Sequence, residues 1–197
     1  MPLPNRVSPT GDFLAVPARG LLMGNRGGRL HDPATRELSR RRHVSKRWIA
    51  CALEFGGRHR TVWGEGYTEL FFLDEVTALA AGHRPCFECR RGEAEAFASA
   101  AAAGARKMGA SEMDDALHRQ RLGPRPEVDM KTLPEGSVGL VGGVPHAVRG
   151  GGLLPWHPEG WGPPAGPVSG PALLVTPSLA VEALRDGYRP LWHPSAF

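Results

Sequence analysis

Cysteine is scarce in this chain, which has three in 197 residues. An odd and low number argues against a disulfide framework, and clustered cysteines in a reducing compartment are typical of metal binding or thiol chemistry. The chain also lacks any run of about eighteen apolar residues, and its first residues do not form the apolar segment of a secretory signal. These absences predict a cytoplasmic protein with no membrane partner.

Lysine is also scarce, since only 3 of the 24 basic residues are lysines. A GC-rich genome explains such an excess of arginine, so the excess alone does not indicate nucleic-acid binding. The distribution is more informative, because residues 19–60 contain eleven basic and three acidic side chains, a balance of +8, whereas residues 150–197 contain two and three. We therefore expect a polyanion, DNA or RNA, to contact the N-terminal part of the chain first.

Within that part, residues 40–48 combine five basic side chains with a tryptophan. This combination suits contacts to nucleic-acid phosphates, although a solvated charged face has the same composition. The predicted nucleic-acid contacts in this run are Arg41, Arg42 and Arg47.

Cys86 and Cys89 form a Cys-x-x-Cys motif that follows one predicted helix and opens another. Two thiolates at this spacing can bind one tetrahedral metal ion, and a helix N-terminus lowers the pKa of a thiol. The sequence therefore predicts a zinc site. A thiol redox pair is the alternative, but such a pair is expected after a strand in a βαβ unit, whereas here a short helix precedes the motif.

Two cysteines do not complete a tetrahedral site, and the third cysteine, Cys51, lies 35 residues upstream of Cys86 on a predicted strand. We expect pairing between this strand and the strand around Phe71 to return Cys51 to the motif. A small buried hydrophobic residue is the alternative role of Cys51. The fourth ligand would be histidine, carboxylate or water, and we favour His59 because a glycine turn can return it to the metal. The other histidines considered are His31, His43 and His83.

The hydrophobic pattern predicts strands at 48–55, 67–73, 138–141, 147–149, 153–156 and 172–176. It predicts helices at 74–81, 89–107, 111–121 and 178–185, and a proline- and glycine-rich loop at 155–171. The expected fold class is α/β (α+β), with a small mixed sheet and helices around a cysteine-rich zinc site. A small β-rich portion with a C-terminal helix follows. The expected divisions are an irregular basic lead-in at 1–47, a zinc-binding domain at 48–123 and the β-rich portion at 124–197.

The segment around the motif resembles a known family. Ala80-Ala-Gly-His-Arg-Pro-Cys-Phe-Glu-Cys89 is similar to the "AAGFRPCKRC" end of the zinc-binding methyl-acceptor domain of Ada-type bacterial DNA-repair proteins. Glu69-Leu-Phe-Phe72 resembles a strand of that domain, and Ile49-Ala-Cys-Ala-Leu-Glu-Phe-Gly-Gly-Arg-His59 resembles its "IYCRPSCPSRH". The resemblance extends over residues 48–91, so residues 48–123 are expected to be an Ada-like zinc-binding domain.

The resemblance implies a role for several residues. Cys51 would be the zinc-bound nucleophile that accepts a methyl group from a DNA methylphosphotriester, and Arg58 would contact DNA, with Arg60 beside it in the same basic region. Phe55 stands where the family has its second upstream cysteine, and Glu88 stands where it has a basic residue. Three thiolates and a neutral histidine leave one negative charge on the site instead of two, which weakens the nucleophile. A structural zinc site is therefore the preferred interpretation.

Overall fold

The computed structural model describes residues 1–57, 61–166 and 171–197, and within them the chain forms two six-stranded sheets and four α-helices. The first half contains β1 (Arg6–Val7), β2 (Phe13–Leu14), β3 (Leu22–Asn25), β4 (Ile49–Ala52), β5 (Leu70–Phe72), α1 (Glu75–Ala80), β6 (Arg84–Pro85), α2 (Arg91–Ala100) and α3 (Ala110–Leu122). The second half contains β7 (Glu127–Val128), β8 (Val138–Val141), β9 (Val144–Arg149), β10 (Gly152–His157), β11 (Gly160–Trp161), β12 (Ala172–Leu174) and α4 (Ser178–Arg185). Two 3-10 turns lie at Met130–Thr132 and Pro194–Ala196.

The predicted fold class is confirmed. The first sheet is mixed, with strand order β2-β1-β5-β3-β4-β6, and the helices lie beside it around the cysteines. The second sheet is antiparallel, with order β11-β10-β9-β8-β12-β7, and is followed by the C-terminal helix α4.

The prediction of an irregular segment over residues 1–47 is wrong at β1, β2 and β3. Strand β3 lies in the middle of the first sheet, where Met23 pairs with Cys51 on one side and with Phe71 on the other. The expected direct pairing between the strands of Cys51 and Phe71 is therefore wrong, because β3 lies between them. Gly24 permits this packing, because a Cβ atom there would lie 2.1 Å from the Ile49 carbonyl oxygen. A short strand with an internal glycine carries little hydrophobic pattern of its own.

The observed helix ends agree with the predictions at α1 but differ from them at the start of α3 and at the end of α2. Asp74 caps α1 by accepting a hydrogen bond from the Thr77 N–H at 2.8 Å, and Gly82 adopts φ +80° just after the helix. At α3, the predicted cap formed by Ser111 and Asp114 is wrong. The helix instead begins after Gly109, whose N–H donates to Glu112 at 2.7 Å. Helix α2 ends at residue 100, before the predicted 107.

Helix α1 is the packing centre of the protein. Leu79 packs with α2, α3 and α4, whereas Val76 and Ala80 pack with the second sheet. Ala78 and Ala81 pack with the first sheet. All six residues of the helix are buried, as expected for a helix surrounded by other elements.

The predicted loop over residues 155–171 is wrong in its first part, where β10 and β11 form a hairpin with Trp156 opposite Trp161. Pro155 lies within β10, and its carbonyl oxygen accepts from the Gly162 N–H at 2.8 Å. Trp161 is buried, and its indole N–H donates to Asp74 at 2.6 Å, which links the hairpin to the start of α1. Residues 167–170 lie outside the described residues.

None of the helices in the described ranges combines the length and the apolar character needed to cross a membrane.

Candidate metal centre

The three cysteines meet at one edge of the first sheet because β6 runs parallel to β4. Ala50 pairs with Pro85, and the Cys86 N–H donates to the Ala50 carbonyl oxygen at 3.0 Å. This register places Cys86 beside Cys51. The chain then turns, with the Arg90 N–H donating to the Cys86 carbonyl oxygen at 3.0 Å, and the turn returns Cys89 to the same place.

The sulfur atoms of Cys51, Cys86 and Cys89 all lie within 4.8 Å of one another. A tetrahedral zinc ion with Zn–S bonds of about 2.3 Å requires sulfur atoms about 3.8 Å apart. The observed spacing is therefore compatible with metal binding after small side-chain movements. Cys51 and Cys86 are each 7% exposed, and Cys89 is partly exposed.

Backbone N–H groups already point at two of these sulfur atoms. The Ala52 N–H donates to Cys89 Sγ and the Glu88 N–H donates to Cys86 Sγ, both at 3.4 Å. Hydrogen bonds of this kind favour the thiolate, the form that binds metal.

The thiols also interact with one another. The hydrogen bond from the Cys51 thiol lowers the pKa of Cys86, and the same contact, together with burial, raises the pKa of Cys51. Burial raises the pKa of Cys89. Three thiols this close cannot ionise independently, and a bound cation would replace their protons.

A cavity of about 350 Å³ is lined by all three cysteines. Its apolar wall includes Phe55, which is 41% exposed. Its polar lining is Asn25, Tyr67, Glu69 and Glu88. Glu69 is buried and accepts the Trp63 N–H at 2.9 Å, so its carboxylate is already engaged.

The described part of the chain supplies three ligands to this group. His59, the predicted fourth ligand, lies outside the described residues, as do Arg58 and Arg60. His31 contacts Thr68 and the Gly64 carbonyl oxygen through its two ring nitrogens.

The two remaining histidines considered as ligands lie in the aromatic cluster around Trp48. His83 is fully buried against Trp48 and Phe72, and His43 lies against Trp48 and His118. Neither belongs to the metal-competent group found among the described residues.

Met23 is a site residue that sequence reasoning missed. It packs against Cys51 and Cys86 on the cavity wall. The apolar run Leu21-Leu22-Met23 before Gly24 is the local signal that could have indicated this strand.

The predicted nucleic-acid contacts divide into two groups. Arg41 and Arg47 are exposed, and no ion pair of theirs occurs within the described ranges. Arg42 is also exposed but pairs with Asp12 at 3.2 Å.

The fold and the site define a mixed α/β protein with a buried three-cysteine group that could hold a metal ion. Comparisons of the chain with protein-family models, curated proteins and solved structures found no match. The resemblance to the Ada-type domain therefore rests on the residues quoted for it.

Proposed function

We propose that this chain is a zinc-binding protein whose metal is held by Cys51, Cys86 and Cys89, with His59 as the fourth ligand. The convergence of three sulfur atoms from two separate segments supports the proposal, together with the two backbone N–H donors aimed at them. Thiolates are soft ligands, and a Cys3His set is an ordinary composition for structural zinc.

The metal would link β4 to the turn before α2. Cys51 belongs to the strand and Cys89 to the turn, so one ion bound to both fixes their relative position. When bound, zinc supplies a cross-link and holds the three thiols as thiolates. Because only the folded chain brings the three cysteines together, metal binding and folding are expected to be coupled.

Two alternatives use the same sulfur atoms. Cys51 could accept a methyl group, and the cavity that it lines gives this idea some support. Its 7% exposure counts against this use, because a DNA phosphotriester must reach the sulfur atom. Cys86 and Cys89 could instead cycle between dithiol and disulfide, but Cys51 then has no role.

The proposal includes contact with DNA or RNA through the basic N-terminal region. Its support is the balance of +8 over residues 19–60 and the exposure of Arg41 and Arg47. Basic side chains without carboxylate partners are available to replace counterions on a phosphate backbone.

Metal analysis of the full chain, purified without chelator, tests the zinc site. We expect one zinc ion per chain, and we expect Cys51→Ser and Cys86→Ser each to lose it. Ala50→Ser is the matched control, since it places a hydroxyl at a buried position of the same strand without removing a ligand. Absence of stoichiometric zinc, with Cys86 and Cys89 freely alkylated, would overturn the proposal.

Mass spectrometry separates the alternatives. After incubation with methylated DNA we expect no added methyl group on Cys51, and a stoichiometric adduct would establish the methyl-acceptor function instead. A disulfide between Cys86 and Cys89 with a reduction potential in the cellular range would favour the redox function.

A further inference from the structure

A second cavity, of about 510 Å³, shares no lining residue with the cysteine cavity. It lies between the loop at Thr10–Gly11, the end of α3 and the start of α4. Its lining contains no aspartate or glutamate. Five arginines line it, and we call this cavity the arginine pocket: Arg26, Arg42, Arg119, Arg121 and Arg125.

Two of the five arginines stack on Trp48. The guanidinium carbon of Arg26 lies 3.9 Å from the centre of the Trp48 ring, and that of Arg121 lies 3.8 Å from it. Arg26 is only 1% exposed. These contacts hold the two guanidinium planes in fixed positions at the pocket wall.

The guanidinium groups of buried Arg26 and partly buried Arg121 have neutral partners. Arg26 donates to the carbonyl oxygens of Gly11 at 2.9 Å and Arg42 at 3.3 Å, and to His83 Nε2 at 3.4 Å. Arg121 donates to the carbonyl oxygens of Gly82 at 3.0 Å and Lys46 at 2.8 Å. Its Nε atom is buried without a hydrogen-bond partner in the described structure.

The charge of the pocket is poorly compensated. Across residues 1–57, 61–166 and 171–197, Arg42 is the only one of the five arginines that forms an ion pair with a carboxylate. Asp114, in the same helix as Arg121, accepts hydrogen bonds from Nε and Nη2 of Arg84 at 2.8 and 2.9 Å. Burial lowers the pKa of Arg26 to about 9 and that of Arg121 to about 10. Burying a cation without a counter-charge is costly, and a bound anion would remove that cost.

Helix electrostatics explains only part of this arrangement. Arg119 and Arg121 lie in the last turn of α3, where basic residues are favoured by the helix dipole. Arg26 belongs to neither helix. The start of α4 also lines the pocket through Pro177 and Ser178, and a helix N-terminus adds positive potential there.

We propose that the arginine pocket binds the phosphate group of a phosphomonoester, supplied by a nucleotide or by the phosphorylated end of a nucleic acid. Guanidinium forks match phosphate oxygens, and several cations around one pocket favour a dianion over a single carboxylate. The volume is suited to a ligand of nucleotide size. Since two guanidinium groups already stack on Trp48, recognition depends on the phosphate and not on base stacking at that ring.

Calorimetric titration of the full chain tests the pocket with inorganic phosphate, adenosine 5′-monophosphate, adenosine and citrate. We expect the monophosphate to bind and adenosine to show no binding. A 5′-phosphorylated oligonucleotide and its 5′-hydroxyl counterpart then distinguish the two sources of the phosphate. Preference for the phosphorylated strand assigns a nucleic-acid end, and binding of the monophosphate alone assigns a nucleotide.

The variant for this test is Arg119→Gln with Arg125→Gln, because both side chains are exposed and their loss leaves the Trp48 stack intact. We expect affinity to fall at least about tenfold. Arg185→Gln, an exposed site in the last turn of α4, is the control and should bind normally. Equal binding of citrate and the monophosphate, or unchanged binding by the double variant, would overturn the proposal. The pocket does not depend on the proposed zinc ligands, since the two cavities share no lining residue, and the zinc content of each titrated sample shows whether a failure belongs to the pocket or to the zinc site.

Discussion

Glu75 is the carboxylate on which the turn after the cysteine motif depends. It is 1% exposed and accepts three hydrogen bonds, from Arg90 at 2.9 Å, from the Tyr188 hydroxyl at 2.7 Å and from the Leu191 N–H at 2.9 Å. Arg90 directly follows Cys89, and its other terminal nitrogen, Nη1, has no partner among the described residues. Among the described residues, Glu75 is the only buried carboxylate paired with this guanidinium, and Glu75→Gln removes its charge.

We expect Glu75→Gln to lower the free energy of unfolding by about 3 kcal/mol, the low end for breaking a buried ion pair, because glutamine keeps one acceptor oxygen. Glu93 provides a matched control. It contacts the Nε atom of the same Arg90 at 3.5 Å, but its side chain is 50% exposed. Glu93→Gln should cost less than about 1 kcal/mol.

Urea unfolding followed by tryptophan fluorescence measures both variants. The expected difference between the two variants comes from the burial of Glu75 and not from the contact distance alone. Equal costs for Glu75→Gln and Glu93→Gln, or a cost below about 1 kcal/mol for the buried substitution, would refute this explanation.

Three further predictions concern charge and metal. The double variant Arg41→Gln with Arg47→Gln should weaken binding to double-stranded DNA or RNA and reduce the slope of log K against log salt concentration by about 1 to 2. Fluorescence anisotropy measures both effects, and Arg185→Gln is the control that should show neither. An unchanged salt slope would exclude these contacts. Hydrogen bonds from Arg106 and from the backbone lower the pKa of Glu112 from 4.5 to about 2, so the stabilisation by this carboxylate is present above pH 4.5 and is lost as the pH falls through about 2. Arg106→Gln should raise the Glu112 pKa in an NMR titration, and no change would contradict the pairing. A strong chelator should lower the melting temperature of the zinc-loaded protein, and an identical melting temperature would count against a structural metal.

Local signals in the sequence predicted the parts of the fold that depend on one segment. The Cys86 and Cys89 spacing, the Asp74 cap and the Gly82 turn each require only neighbouring residues. The sequence also predicted that Cys51 lies beside Cys86 and Cys89, but the strand pairing expected to bring it there is wrong. Cys51 meets the motif because β4 pairs in parallel with β6, which consists of Arg84 and Pro85 and is too short to show a periodic pattern.

The features that sequence reasoning missed depend on distant contacts. Strand β3 is stabilised by a partner on each side, and its glycine serves the packing of those partners. Pro155 suggested a loop, but its missing N–H is tolerated in β10. The arginine pocket combines Arg26 with residues of α3 and with Thr176. Arg26 and Thr176 are 150 positions apart in the chain, so no local motif could predict the pocket.

The position of α1 has a consequence for how the protein unfolds. A helix of six residues is far too short to persist alone in water, so it forms only while its neighbours are in place. Each of the two sheets and the group of helices buries a different part of it. We therefore expect one cooperative transition, in which the loss of any layer releases the helix and, with it, the short connection to Cys86. Occupancy of the cysteine site would then report the folding of the whole chain, including portions far from the metal.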